Sequence, residues 1–293
     1  MSKKDILHRF IFDQAPVRGE LVQLDQAWQA IISRHNYPEC VRDVLGQSMA
    51  ATVLLSATIK FLGSITLQIQ GDGPVSMLVV QVNTDKKVRA MASYEGDDLK
   101  PGLKQMFGQA RLMITIEMDN AAERYQGIVE LGEKDIATAL EEYFRQSEQL
   151  KTRLWLAADD KMAAGFLLQE MPKESMPDAD KDAWGRFTTL ADTLKHEELY
   201  HLDAKEILHR LYHEENVRLF SPEQIEFACS CTQEKIEKTL RTMGMAEVQD
   251  IIAEQGHVEV ACNFCNQLYE FDAIDVEKLF TKSFTMETSN TRH

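Results

Sequence analysis

The chain has 293 residues, with 32 Lys and Arg against 47 Asp and Glu, giving a formal net charge of -15. That length suits one large domain plus a smaller one, and the acid excess disfavours a surface built to neutralise nucleic-acid phosphates. The N-terminus lacks an apolar run of signal-peptide length and no window nears 18 uninterrupted apolar residues, so a soluble, cytosolic protein with no membrane partner is expected.

Residues 6–12 and 17–24 alternate apolar and polar positions and predict two strands, or a strand and an extended arm. From 25 to 61 the spacing becomes helical, with Pro38 suited to a first helical turn and an apolar face through Val41, Leu45, Met49, Val53, Leu54 and Ile59. Cys40 in that segment reads as a small core residue. Residues 64–70, 75–82, 87–94, 111–117 and 124–131 are short, β-rich and bounded by Gly, Asp, Asn or Pro, which predicts a sizeable antiparallel sheet. Gly71-Asp72-Gly73-Pro74 reads as a tight turn, because no Gly-Lys-Ser/Thr and no helix start follow it to make a phosphate cradle. Residues 135–149 are amphipathic, with Ile136, Leu140, Tyr143 and Phe144 on one side, and predict a helix across the sheet. Residues 154–158 and 163–171 close the domain as strands.

Composition shifts at Pro172. Residues 173–182 are small, polar and acidic, as in a linker. Residues 184–220 have helical propensity, with apolar stripes through Leu190, Leu194, Ile207, Leu208, Leu211 and Tyr212 that need a partner surface. Residues 1–172 hold 19 Lys and Arg against 23 Asp and Glu, and residues 173–293 hold 13 against 24, so -11 of the -15 lies in the second part. His196 and His201 are five apart, so they do not share a helix face as a zincin pair does. His209 and His213 are four apart, but no third ligand is indicated, and a solvated helix face is the simpler reading. Residues 232–243 and 245–255 predict two helices, and 257–261 and 267–271 two strands.

Cys229 and Cys231, then Cys262 and Cys265, form two close pairs separated by 30 residues. Two such pairs are a usual way to supply four thiolates to a tetrahedral zinc, and a reducing cytosol disfavours structural disulfides. Four sulfurs leave no open position for hydrolysis. The Cys262–Cys265 pair sits between apparent strands and not at a strand-to-helix turn, which argues against a thioredoxin-like enzyme. Counted from Ser221, the module is about 70 residues, a size whose core rarely supplies more than ~3 to 5 kcal/mol. Structural zinc contributes roughly 10 to 16 kcal/mol. A structural knuckle is one reading. The other is a switch: each pair is close enough to form its own disulfide, and two tiny loops would replace a crosslink across 30 residues.

The Cys-x-Cys and Cys-x-x-Cys pairs resemble those of the redox-regulated 33-kDa heat-shock chaperone family of bacteria. Gln70-Gly71-Asp72-Gly73-Pro74, Arg124-Tyr125-Gln126-Gly127, residues 143–150 and Arg210-Leu211-Tyr212-His213-Glu214-Glu215 carry the same resemblance, as does the region of Val17-Arg18-Gly19-Glu20. The expected class is α+β: a core domain of mostly antiparallel sheet with packed helices at 1–172, a mostly helical metastable linker at 173–220, and a zinc-binding redox-switch domain at 221–293. The resemblance implies a non-enzymatic, ATP-independent holdase that keeps one zinc per chain on Cys229, Cys231, Cys262 and Cys265 while reduced. On oxidation it implies disulfides 229–231 and 262–265, loss of zinc, unfolding of switch and linker, dimerisation and binding of unfolded clients. A constitutive zinc ribbon for nucleic acid or protein and a thiol oxidoreductase are the alternative classes.

Overall fold

The computed structural model describes residues 5–58, 62–96, 98–119, 124–132, 135–172, 180 and 182–287. Ile59 and nearly all of the 173–182 linker segment lie outside these. By internal contacts the chain forms two units, Met1–Ala228 and Cys229–His293.

In the first unit, alternation produces β1 (Ile6–Phe12) and β2 (Val17–Leu24) as expected. They pair antiparallel with Phe10 opposite Gly19, where an added Cβ would stand 2.1 Å from the Phe10 ring. Only a residue without a side chain fits that approach. β2 continues into β9 (Ala163–Glu170) and β8 (Thr152–Ala158). Both faces of this sheet are covered: Val22 and Leu24 enter one core, while Val17 and Leu21 enter another.

After a short helix α1 (Gln26–Ile32), α2 (Glu39–Thr58) supplies the centre of the first core. Val41, Leu45, Met49, Val53 and Leu54 are buried there, and Cys40 packs half-buried at its rim. Strands β3 (Gly63–Gly71), β4 (Val75–Asn83), β5 (Lys87–Tyr94), β6 (Ala110–Met118) and β7 (Arg124–Leu131) form the expected antiparallel sheet in the order β5-β4-β3-β6-β7. Their inward residues, Leu67, Val80, Ala90, Ile114 and Val129 among them, join the same core as α2. The turn at 71–74 is fixed by Gly73 N donating to Phe107 O at 3.0 Å. Phe107 ends α3 (Leu103–Phe107), a helical turn that sequence did not predict. The predicted 135–149 helix is α4 (Ile136–Tyr143), capped by the Asp135 side chain, and its last turn widens to a π turn over Phe144–Glu148.

The second core holds three helices, α5 (Ala183–Ala191), α6 (His196–His201) and α7 (Ala204–Tyr212). Phe187 stacks on Phe12 with centroids 4.0 Å apart, and the Tyr212 ring meets Phe12 edge-on at 5.0 Å. Gln23 Nε2 donates to Leu199 O and Leu202 O, fixing the sheet to the end of α6. Leu194, Ile207, Leu208, Leu211 and Tyr212 are buried as expected, whereas Leu190 is 36 % exposed.

Helical structure stops well before Phe220. β10 (Val217–Leu219) and β11 (Glu223–Gln224) pair antiparallel with β1, and β12 (Glu226–Phe227) pairs parallel with β5. This pairing holds residues 221–228 in the first unit, so the second compact unit begins at Cys229 and not at Ser221.

In the second unit, α8 (Gln233–Met243), α9 (Met245–Gln255), β13 (Val258–Ala261) and β14 (Leu268–Phe271) follow the sequence closely. An unanticipated α10 (Ala273–Glu287) completes it. Its core is small: Leu240, Val248, Val258, Phe271, Val276 and Leu279 are buried.

Candidate metal centre

Two local devices present the sulfurs. Cys229 and Cys231 lie just ahead of α8, where the Thr232 side chain accepts from Lys235 N and Lys235 Nζ donates to Ser230 O at 2.6 Å. Cys262 and Cys265 lie in the turn between β13 and β14. That turn is closed by Cys262 N to Gln267 O at 2.9 Å and Asn266 N to Cys262 O at 2.8 Å. Asn266 takes a left-handed φ of 56°, which an Asn tolerates better than most residues.

The four sulfurs all lie within 4.8 Å of one another. Cys229 Sγ is 3.7 Å from Cys262 Sγ, and Cys231 Sγ is 3.4 Å from Cys265 Sγ. A tetrahedron with metal–sulfur bonds of about 2.3 Å separates its sulfurs by ~3.8 Å, so the spacing and the donor set both fit a four-thiolate metal such as zinc. All four thiols are free, with Cys262 buried and the others half-buried.

Burial pushes the Cys229 thiol up. At Cys231 burial is outweighed by hydrogen bonds from Tyr269 and then Cys265, which bring it down to about 7. Cys265 is pushed up to about 12, by burial and by hydrogen bonding with Cys231. Tyr269 rises to about 12 because its hydroxyl donates to the Cys231 sulfur. A cation in their midst is what lets four thiolates coexist.

Among the described residues, these four are the group of three or more Cys, His, Asp and Glu whose ligand atoms converge. His196 and His201 lie at opposite ends of α6, with His201 Nε2 3.4 Å from the Glu197 carboxylate. His209 and His213 are a turn apart, ring centroids at 5.9 Å, without a converging third ligand. Cys40 Sγ makes a weak 3.7 Å contact to Leu99 O and takes no part. Sequence reasoning did not single out Tyr269 or Lys235. For Tyr269 the available signal was its place on the strand that leaves the second Cys pair.

The family model described as Hsp33 protein matches residues 5–272. The chain belongs to the Hsp33 family. A 33 kDa chaperonin of Nitrosococcus oceani is 46 % identical over 293 residues, covering 100 % of both chains. One from Shewanella sediminis is 47 % identical over 287 residues, covering 97 % of this chain and 99 % of that one. A crystal structure of a 33 kDa chaperonin, a heat shock protein 33 homologue from Thermotoga maritima, shares the fold. Its TM-score is 0.82 at 23 % identity, covering 96 % of this chain and 99 % of that one. The Hsp33 match ends at Asp272, immediately ahead of α10. No helix among the described residues is long and apolar enough to cross a membrane.

Proposed function

We propose that this Hsp33 chain is a redox-regulated, ATP-independent holdase of the cytoplasm, folded and inert while its thiols are reduced and client-binding once they are oxidised. Family membership carries the class, a chaperone. The observation that carries the regulation is the convergence of four sulfurs in a unit whose own core has six buried apolar side chains. Cys229, Cys231, Cys262 and Cys265 are the proposed ligands of one zinc per chain. When bound, the zinc supplies a crosslink between the start of α8 and the β13–β14 turn, worth roughly 10 to 16 kcal/mol in small domains.

Oxidation acts on the ligands themselves. Each pair of thiolates gives up two electrons and forms one S–S bond, while the O–O bond of one peroxide breaks and, with two protons taken from solvent, yields two waters. Pairing 229–231 and 262–265 closes two tiny loops and leaves no thiolate to hold a metal. Pairing 229–262 and 231–265, the separations of 3.7 and 3.4 Å, would instead staple the unit shut. The switch therefore requires the within-pair disulfides. Loss of the crosslink unfolds the unit that begins at Cys229 and, through the chain, loosens the metastable linker ahead of it, whose helices α5, α6 and α7 depend on docking against Phe12 and its neighbours. The exposed apolar surfaces bind unfolded clients, and the active form is a homodimer. Conformational release, not bond-making on a substrate, is its output, and the acidic second part makes nucleic acid an unsuitable partner.

The deciding experiment measures zinc, free thiols and client aggregation before and after peroxide with mild warming. Zinc should fall from one per chain to none and thiols from five to one, with suppression of aggregation appearing only afterwards. Full suppression by the reduced, zinc-loaded chain, unchanged by peroxide, would sink the reading, and cross-pair disulfides would sink its unfolding step.

A further inference from the structure

Helix α7 carries two imidazoles that the four-Cys centre does not use. His209 and His213 are four residues apart, which places them one above the other on one side of the helix, with ring centroids at 5.9 Å. Both are exposed, and apart from their mutual ring contact neither has a bonding partner among the described residues. His201, by contrast, is tied to the Glu197 carboxylate. An ion bonded at about 2.0 Å to one nitrogen of each ring holds the ring centres ~5 Å apart at a tetrahedral angle. A small rotation of two exposed side chains covers the difference from 5.9 Å. No third protein ligand converges there, so water must complete the coordination. Beside the pair, against Val217 and Leu219 of β10, a cavity of about 240 Å³ has the space, since a water takes up about 30 Å³. Glu215 is on its wall and binds Arg186 through Oε1, at 2.9 and 3.1 Å, which leaves Oε2 to accept from a metal-bound water. Lys205 shares the cavity, but it is exposed and its flexible stem lets the ammonium turn to solvent.

We propose that His209 and His213 chelate a divalent transition ion that prefers imidazole, such as Ni2+ or Zn2+, and that the ion rivets the last turn of α7. His213 is the residue that ends the helix, where the backbone runs out of hydrogen-bond partners and fraying begins. The same turn carries Leu211 and Tyr212, both buried in the second core, and the Tyr212 hydroxyl donates to Phe187 O at 3.1 Å, joining α7 to α5. An ion that binds the closed turn and not the frayed one protects it by a factor of 1 + [ion]/Kd, ~100-fold at 100 times Kd. The site itself is independent of the holdase reading. Its consequence rests on that reading: with the ion bound, the linker helices come loose less readily.

The test titrates Ni2+ into the untagged, zinc-loaded full chain, nickel being a stronger imidazole binder than most divalent ions and, unlike copper, no oxidant of thiols. One nickel per chain should bind at micromolar concentration, without the near-ultraviolet absorption of nickel bound to thiolate. His209→Gln and His213→Gln should each weaken binding at least tenfold, whereas His196→Gln should leave it unchanged. Amide exchange at Leu211 and Tyr212 should slow at least tenfold in the nickel-loaded parent and not in either variant. Binding that persists in both variants, that shows thiolate absorption or that needs millimolar nickel overturns the site. A bound ion that leaves exchange at Leu211 and Tyr212 unaltered overturns the rivet. Nickel should also raise the temperature at which peroxide switches on aggregation suppression in the parent but not in the variants, and no rise overturns the link to the switch. If peroxide switches on nothing with or without nickel, the holdase reading has failed, and the titration still decides the site.

Discussion

Glu20 lies at the middle of β2, opposite Arg9 of β1 and Leu167 of β9, with 2 % of its surface exposed. Burial raises its pKa to about 7, Arg18 and Arg9 pulling the other way, and its Oε2 has no hydrogen-bond partner. The ordinary value is 4.5. Between 4.5 and 7 the folded unit therefore binds more protons than the unfolded chain, so stability is full below that window and falls as pH rises through it. The loss is on the order of 3 kcal/mol. Glu20→Gln should flatten this dependence and exceed the parent in stability at pH 8, read from urea unfolding at pH 5 and pH 8. An unchanged difference between the two pH values would mean that Glu20 is ionised in the fold. Sequence could not show this, since an acid in an alternating strand looks solvent-facing until a second layer covers it. The four cysteines were legible because their chemistry depends on covalent spacing. The hydroxyl of Tyr269 at Cys231 was not, because it comes from strand register.

Among the elements, α10 holds the second unit together in a way that does not depend on metal. Val276 and Leu279 are two of its six buried side chains, and Arg241 of α8 donates to Leu279 O at 3.3 Å. α10 packs on α8, which follows the first Cys pair, and on β14, which follows the second. It is a second bridge between the same two halves that the sulfurs join. Leu279→Ala should cost about 2 to 5 kcal/mol by cavity formation, seen as a lower temperature at which the four thiols of the zinc-loaded chain become reactive. An unshifted temperature would place the unit's stability in the metal alone. Helix α7 was readable because it has one wet and one dry face along its length, and α2, buried all round from Ser48 to Ser56, because its long apolar run keeps a helical spacing. Residues 217–227 were not: their strands are two or three residues long, too short to show a period, and extend only because β1 and β5 offer open edges.

For the whole molecule, two units with very different cores should respond differently to metal removal. The first has two apolar cores, and α2 is buried along much of its length in one of them, against strands of both sheets, while the second has one small core. A chelator added to the reduced chain should abolish hydrogen-exchange protection in β13 and β14 while β2 and β9 keep theirs. Protection of β13 and β14 that survives complete zinc removal would contradict a metal-dependent module.

The sequence by itself determined the strand and helix periods, the tight turn at 71–74, the acidic second part and the two Cys pairs, because each is a property of neighbours along the chain. Tertiary structure alone decided that Glu20 is buried, that Leu190 remains partly exposed, that α10 bridges the two halves of the Cys site and that residues 223–228 close two sheet edges. Those outcomes are settled by competition among distant segments for one surface. No local period records which segment wins.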